Sequence, residues 1–164
     1  MADRDVRLRR LRGFDFPTDQ LSVYAADDEY YEGTILHRNL SATNELTAAT
    51  NNAEMLLLKR VTAAGPTVYE KLTRTDVGEV AVGEKVPAVL LRVGATFETK
   101  VFASTGTGGI SAGTALDSAL GVIDGIIVQQ QLVSDGSVEF FRLKNDLIAS
   151  EGIIEVMVSN LRPV

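Results

Sequence analysis

Few residues of this sequence have the types and spacing that catalysis requires. His37 is the only histidine, and the chain has no cysteine. A Ser-His-Asp triad, a two-histidine metal site and a thiolate zinc site are therefore not predicted, and neither is a cysteine nucleophile. Because Ile35 and Leu36 precede His37 in a stretch that favours a strand, we expect this histidine to be a structural or a sheet-edge residue.

Residues 104–113, Ser-Thr-Gly-Thr-Gly-Gly-Ile-Ser-Ala-Gly, form a glycine-rich segment that invites comparison with phosphate-binding loops. The Gly-Lys-Ser/Thr ending of a P-loop is absent. Gly106 and Gly108 are not continued by the third glycine of a dinucleotide-binding loop. We expect a flexible connection here.

Carboxylates are plentiful, and four of them, Asp27, Asp28, Glu29 and Glu32, lie close together. They could bind a hard cation loosely, but no Asp-x-Asp-x-Asp-Gly calcium loop occurs. A solvated acidic run is the interpretation that we favour. The spacing of paired acids for glycoside hydrolysis is spatial and cannot be obtained from sequence. We predict no enzyme activity, no metal and no cofactor.

The length and composition indicate a single domain with a full core. The chain has 164 residues and is 45% hydrophobic, which is enough for one packed domain. No apolar run approaches the roughly 18 residues of a membrane-spanning helix, and the N-terminal arginines are not followed by a signal-peptide core. We expect a soluble, unprocessed protein with no membrane partner.

The net charge of −6 is unevenly distributed along the chain. Residues 1–12 carry +3, so the remainder carries −9. An acidic body repels nucleic acid, and we predict no nucleic-acid partner. The basic segment would be attracted to an acidic surface, such as the body of another copy; a disordered basic tail is the alternative.

The chain divides into an extended basic arm, residues 1–29, and a single β-domain, residues 30–164. Gly13, Pro17 and the acidic run interrupt regular structure in the arm. Phe14 and Phe16 would either anchor the arm to a neighbouring molecule or cap the domain's own core.

Residues 79–102 are predicted to form a tight turn followed by a two-stranded hairpin. Gly94-Ala95 fits a two-residue type II′ turn, which would place Leu91 opposite Glu98 on one face of the hairpin. The strand before the turn is apolar on both faces, as expected in a sandwich, a barrel or a subunit contact. We interpret the face carrying Leu91, Glu98 and Lys100 as a candidate subunit interface, with a solvated sheet as the alternative.

The chain as a whole gives roughly nine short strands at hairpin-like spacing, with at most one or two short helices, which predicts a mainly β protein, a small barrel or sandwich. Residues 39–52 are predicted to be a polar loop, and Asp135-Gly136 a hairpin turn. Residues 140–150 fit either a helix or a strand, with Gly152 as a helix end. The remaining strands are expected at 30–38, 53–61, 67–73, 119–123, 126–133 and 153–158, with a short helix as the alternative at 53–61.

The order of these features over residues 30–133 resembles the head decoration proteins of tailed bacteriophages. The similarity is carried by an opening strand with Gly33, a polar loop, the apolar strand at 54–61 and the segment Val-Gly-Glu-Lys-Val-Pro-Ala-Val-Leu. It continues with Phe-Glu-Thr-Lys-Val-Phe, a glycine loop, Ala-Gly-Thr-Ala-Leu and Leu-Gly-Val-Ile-Asp-Gly-Ile.

The resemblance implies a β-tulip-like barrel with long loops that acts as a cement protein. Such a homotrimer is made in the host cytoplasm, sits on the virion surface and bridges major capsid subunits. Leu91, Glu98 and Lys100 would form the subunit interface, and no residue would be catalytic. The capsid contacts would come from the arm, namely Arg4, Arg7, Arg9, Arg10, Arg12, Phe14 and Phe16.

Three other functions are compatible with the sequence. One is a different virion or tail structural protein. Another is a carbohydrate-binding β-sandwich module, which a cluster of Tyr24, Tyr30 and Tyr31 over one groove would favour. The third is an enzyme with convergent acids in a deep pocket.

Overall fold

The computed structural model describes residues 8–14, 20–21, 24–28, 30–39, 45–50, 52–58, 79–80, 83, 85, 88–104, 108–129 and 139–160. Strands account for 52% of these residues and helix for 4%, so the predicted mainly β barrel or sandwich is confirmed. No helix in this part of the chain has the length and apolar character needed to span a membrane.

Fourteen strands and one short helix are found within the described residues. The strands are β1 (Leu8–Arg12), β2 (Gln20–Leu21), β3 (Ala25–Ala26), β4 (Tyr30–Tyr31), β5 (Ile35–Arg38), β6 (Glu45–Ala48), β7 (Met55–Leu57), β8 (Glu79–Val80), β9 (Ala88–Leu90), β10 (Thr96–Thr99), β11 (Ala119–Ile123), β12 (Ile126–Gln129), β13 (Phe141–Leu147) and β14 (Ile153–Val158). The helix α1 (Ile148–Glu151) lies between the last two strands.

The first sheet is antiparallel, with the strand order β1-β10-β14-β13-β11-β12. It curls, because its edge strand β12 reaches the segment that follows β10. The Ala103 N–H donates to the Ile127 carbonyl at 2.9 Å, and Phe102 forms a parallel bridge with Ile127. The curl gives this sheet a half-barrel shape.

The second sheet has the order β2-β9-β7-β5-β6-β3, and β4 and β8 form a separate two-stranded sheet. Alternate residues of the second sheet face opposite sides. Ile35, Leu56 and Val89 join the main core against the first sheet, where Phe97 and Phe141 pack edge to face with ring centroids 5.8 Å apart. The other side of the second sheet forms a second cluster containing Leu36, Leu46, Met55, Leu57 and Ala88.

The predicted hairpin at Gly94-Ala95 is wrong, because β9 and β10 belong to different sheets. The turn lies one residue earlier: the Ala95 N–H donates to the Arg92 carbonyl at 3.0 Å, and Gly94 has φ +90°. A positive φ at the third turn residue is typical of a type II turn, which splays the flanking strands apart. The chain therefore passes from one sheet to the other. The expectation that β9 is apolar on both faces is confirmed, since Val89 lies in the main core while Ala88 belongs to the second cluster.

The first strand shows how the N-terminal segment enters the fold. β1 is the edge strand of the first sheet and pairs antiparallel with β10. Strands β2 and β3, which also precede residue 30, pair with β9 and β6. These parts of the predicted arm therefore contribute strands to the same sheets as residues 30–164.

Other local predictions have mixed outcomes. Residues 140–150 contain both alternatives, because β13 is followed directly by α1, which ends at Gly152. The last strand is confirmed at Ile153–Val158. The predicted loop at 39–52 contains strand β6. The predicted strand at 67–73 and the Asp135-Gly136 hairpin lie outside the described residues.

Candidate functional site

An open pocket of about 630 Å³ lies where the β11–β12 turn meets the β3, β4 and β6 strands. Its wall combines carboxylates, hydroxyls, an ammonium group and a few apolar side chains. The lining residues are Asp27, Asp28, Tyr30, Tyr31, Thr34, Thr47, Ala48, Lys100, Val101, Asp124 and Ile126.

One side of the pocket is built by the tight turn between β11 and β12. Ile123 pairs with Ile126, and Asp124 and Gly125 between them have φ values of 54° and 76°. Two central residues with positive φ are typical of a type I′ turn, for which Asp-Gly is a preferred sequence. This dipeptide between two apolar runs is the signal that could have identified Asp124 as a turn residue.

The same turn is clamped onto the second sheet by backbone hydrogen bonds. The Gly125 N–H donates to the Ala49 carbonyl at 2.8 Å, and the Ile35 N–H donates to the Gly125 carbonyl at 2.9 Å. The Asp124 N–H donates to Thr50 Oγ1 at 2.9 Å. The position of the Asp124 backbone relative to the second sheet is thus fixed.

Tyr30 is held on the opposite side by two hydrogen bonds at its hydroxyl. The hydroxyl donates to Asp27 Oδ1 and accepts from the Ala48 N–H at 3.0 Å. Burial of the ring, followed by the hydrogen bond to Asp27, raises the pKa of Tyr30 to about 12. The phenol therefore stays protonated and neutral throughout the physiological range.

Tyr31 and Ile126 give the pocket an apolar part of its surface. Tyr31 is 48% exposed and Ile126 is 40% exposed. The Tyr31 backbone is fixed by Thr34, whose hydroxyl and N–H both donate to the Tyr31 carbonyl, at 2.7 and 3.1 Å. An aromatic ring on a fixed backbone can act as a packing platform.

The pocket can form hydrogen bonds and apolar contacts, but its carboxylates do not converge. Within the described part of the chain, no three histidine, cysteine or acidic side chains come together as a metal site would require. Asp27 already accepts the Tyr30 hydroxyl. This geometry favours binding of a polar molecule through several separate contacts.

The predicted acidic run and tyrosine cluster contribute in part to this pocket. Asp27 and Asp28 are exposed and line it, whereas Glu32 is buried. Glu29 lies outside the described residues. Tyr30 and Tyr31 are in the lining, but Tyr24 packs against the second hydrophobic cluster.

The two other candidate motifs, His37 and the glycine-rich segment, are engaged in backbone contacts and packing. His37 lies in β5, between β7 and β6, and its Nδ1 is 2.9 Å from the Arg38 carbonyl. In the glycine-rich segment, Ile110 is fully buried and its N–H donates to the Ala103 carbonyl at 2.7 Å. Ile110 therefore packs in the main core.

Among the arginines predicted for capsid contact, some form ion pairs within the chain and some are exposed to solvent. Arg9 contacts both Glu98 and Glu151, and the Arg10 Nε lies 3.6 Å from a Glu98 oxygen. Arg10 and Arg12 are exposed. Phe14 packs against the main core, with its ring centroid 6.3 Å from that of Phe97. Arg4, Arg7 and Phe16 lie outside the described residues.

The residues predicted for the subunit interface do not share one surface. Leu91 is 3% exposed and belongs to the main core. Glu98, in strand β10 next to β1, is 1% exposed. Lys100 is half-buried and lines the pocket. Burial within the single chain leaves the side chains of Leu91 and Glu98 with almost no surface for a partner.

Comparison with known proteins gives no match to a protein-family model, to a curated protein or to a solved structure.

Proposed function

We propose that this protein is a capsid decoration protein, which binds the outside of a viral head and stabilises the shell by bridging major capsid subunits. The proposal starts from the resemblance of residues 30–133 to phage head decoration proteins. The mainly β fold is compatible with it. The observation that supports it best is the fixed position of the basic strand β1 on an acidic molecule.

Strand β1 presents positive charge from a rigid edge. It is hydrogen-bonded to β10 and anchored by the contacts of Arg9 and Arg10 with the buried Glu98. The Arg10 and Arg12 side chains remain exposed there, while residues after 12 carry a net charge of −9. Opposite charges at fixed positions allow copies, or a copy and a capsid subunit, to associate in one orientation.

Because the capsid subunits repeat on a lattice, weak individual contacts are sufficient for firm binding. Each exposed ion pair contributes little by itself, about 0–1 kcal/mol. A trimer that engages several capsid subunits at once converts the later contacts into intramolecular ones, and the overall affinity rises steeply. A decoration protein can therefore bind firmly without one large interface.

The test is co-sedimentation with expanded, undecorated heads of a tailed phage that carries this chain. We expect the wild type to sediment with the heads, and Arg12→Glu to bind more weakly because it reverses an exposed charge on β1. Lys85→Glu makes the same charge change at another exposed position and should bind like the wild type. Wild-type protein that stays in the supernatant at low salt would refute the proposal.

A further inference from the structure

We propose that the pocket lined by Tyr30, Tyr31 and Asp124 is a carbohydrate-binding site that takes a neutral or amino sugar. This inference goes beyond shell stabilisation and does not depend on it. It rests on the size of the pocket, its aromatic wall, its set of hydrogen-bonding groups and its fixed geometry.

The size of the pocket fits one or two sugar rings. Its volume is about 630 Å³, within the range of roughly 300–1,000 Å³ found for small-molecule sites. The pocket is also open to solvent, so the end of a longer glycan chain can enter it.

The exposed Tyr31 ring and the neighbouring Ile126 side chain match the apolar face of a sugar. A pyranose ring presents C–H groups on its faces and hydroxyls around its rim. Packing the C–H groups on an aromatic ring removes apolar surface from water on both sides. Tyr31 is almost half exposed, so a sugar that enters the pocket can reach this side chain.

The polar lining supplies acceptors and donors for the sugar hydroxyls. A carboxylate offers about four acceptor positions, so Asp27 and Asp28 can accept from a ligand in addition to the contacts they already make. Asp124 adds a third carboxylate, and hydrogen bonds to ionised groups are stronger than neutral ones. Lys100 adds an ammonium donor at the same wall.

The site is largely preorganised, which lowers the entropic cost of binding. Tyr30 is held by two hydrogen bonds at its hydroxyl. The Asp124 backbone is tied to Thr50, and the adjacent Gly125 is tied to the second sheet. The Tyr30 hydroxyl and the backbone of the β11–β12 turn therefore need no further ordering when a ligand enters.

The charge of the pocket determines which sugars fit. The lining contains three carboxylates and one ammonium group, so its net charge is negative and an anionic sugar would be repelled. A neutral hexose meets no such penalty, and an amino sugar gains an attraction. We therefore expect glucuronate to bind at least about tenfold more weakly than glucose, a difference of about 1.4 kcal/mol.

The test is a titration of the full chain, monitored by ¹H–¹⁵N NMR, with each of five sugars: glucose, galactose, mannose, N-acetylglucosamine and glucosamine. At least one sugar should give saturable shifts centred on Tyr31, Asp124 and Ile126, with a dissociation constant below about 10 mM. Tyr31→Ala should weaken that binding about tenfold through loss of the ring contact. Leu116→Ala truncates an exposed apolar side chain outside the pocket lining and should leave binding unchanged.

Four results would overturn the carbohydrate assignment. They are the absence of saturable shifts with all five sugars, tighter binding of glucuronate than of glucose, an unchanged affinity in Tyr31→Ala, and preferential binding of a peptide of residues 1–12 in the same pocket. The last result would identify the pocket as a site for basic protein segments. None of them bears on co-sedimentation with heads, so the two proposals fail separately.

Discussion

Tyr30 combines a ring packed against the second hydrophobic cluster with a hydroxyl shared between Asp27 and Ala48. The pKa of this phenol is raised to about 12, first by burial and then by the hydrogen bond to Asp27. In the unfolded chain the phenol has the ordinary pKa of about 10. Folding therefore favours the protonated form. The resulting stabilisation is complete below pH 10 and is lost as the pH rises through 12.

We therefore expect the wild-type free energy of unfolding to fall between about pH 10 and pH 12, and to fall less in Tyr30→Phe. Urea unfolding at a series of pH values measures both slopes. Tyr31→Phe is the matched control, because it removes a hydroxyl from the adjacent, exposed ring. Identical slopes in Tyr30→Phe and the wild type would show that this phenol does not titrate abnormally.

The β11–β12 turn belongs to the first sheet and packs against the second sheet. Gly125 is the residue that permits the close approach of the turn to the second sheet. A Cβ atom at this position would lie 2.5 Å from Thr34 Cγ2 and 3.0 Å from the Ile35 carbonyl oxygen. The φ of +76° adds a backbone penalty for any other residue. Both effects act on the contact that forms one side of the pocket.

We expect Gly125→Ala to destabilise the protein more than Gly113→Ala. Gly113 has a similar φ of +91°, but a Cβ there would meet no atom within 4 Å. Gly113→Ala therefore measures the backbone penalty alone, about 1–2 kcal/mol, and the overlap adds to it at Gly125. Denaturant unfolding of both variants gives the difference, and equal losses would contradict the packing at the turn.

Strand β1 is anchored by two arginines that share one buried carboxylate. Either Arg9 or Arg10 can offset the charge of Glu98, and the loss of both leaves it buried without these partners. We expect Arg9→Gln and Arg10→Gln to be mild individually and more than additive together. A double-mutant cycle by urea unfolding measures the coupling, and strict additivity would show that the arginines act independently.

The sequence-based predictions succeeded where the signal was local. Ile153–Val158 alternates apolar and less buried positions, and β14 has those bounds. Ala119–Ile123 was likewise predicted and forms β11. In both cases side-chain period and strand-forming residues agree with the environment in the fold.

Predictions failed where partners distant in sequence decide the structure. Glycine can occupy either central position of a turn, so Gly94-Ala95 does not by itself distinguish a type II′ hairpin from the type II connection that is present. Strand β6 contains a single large apolar residue, Leu46, and is held by pairing with β5 and β3. The pocket draws its residues from several separate segments, none of which has a distinctive motif.

At the scale of the whole molecule, the uneven charge predicts salt-dependent association. The proposed homotrimer places the basic N-terminal segment of one copy, in which Arg10 and Arg12 are exposed, against the acidic body of the next. Such contacts weaken when salt shortens the Debye length from about 10 Å at 0.1 M to about 3 Å at 1 M. Light scattering should therefore give a mass of three times 17.6 kDa at low salt and a lower mass near 1 M.

Arg12→Glu should lower the salt concentration at which the trimer dissociates, whereas Lys85→Glu should not. A mass of 17.6 kDa at every salt concentration would contradict the trimer, and a trimer insensitive to salt would show that apolar contacts hold the copies together.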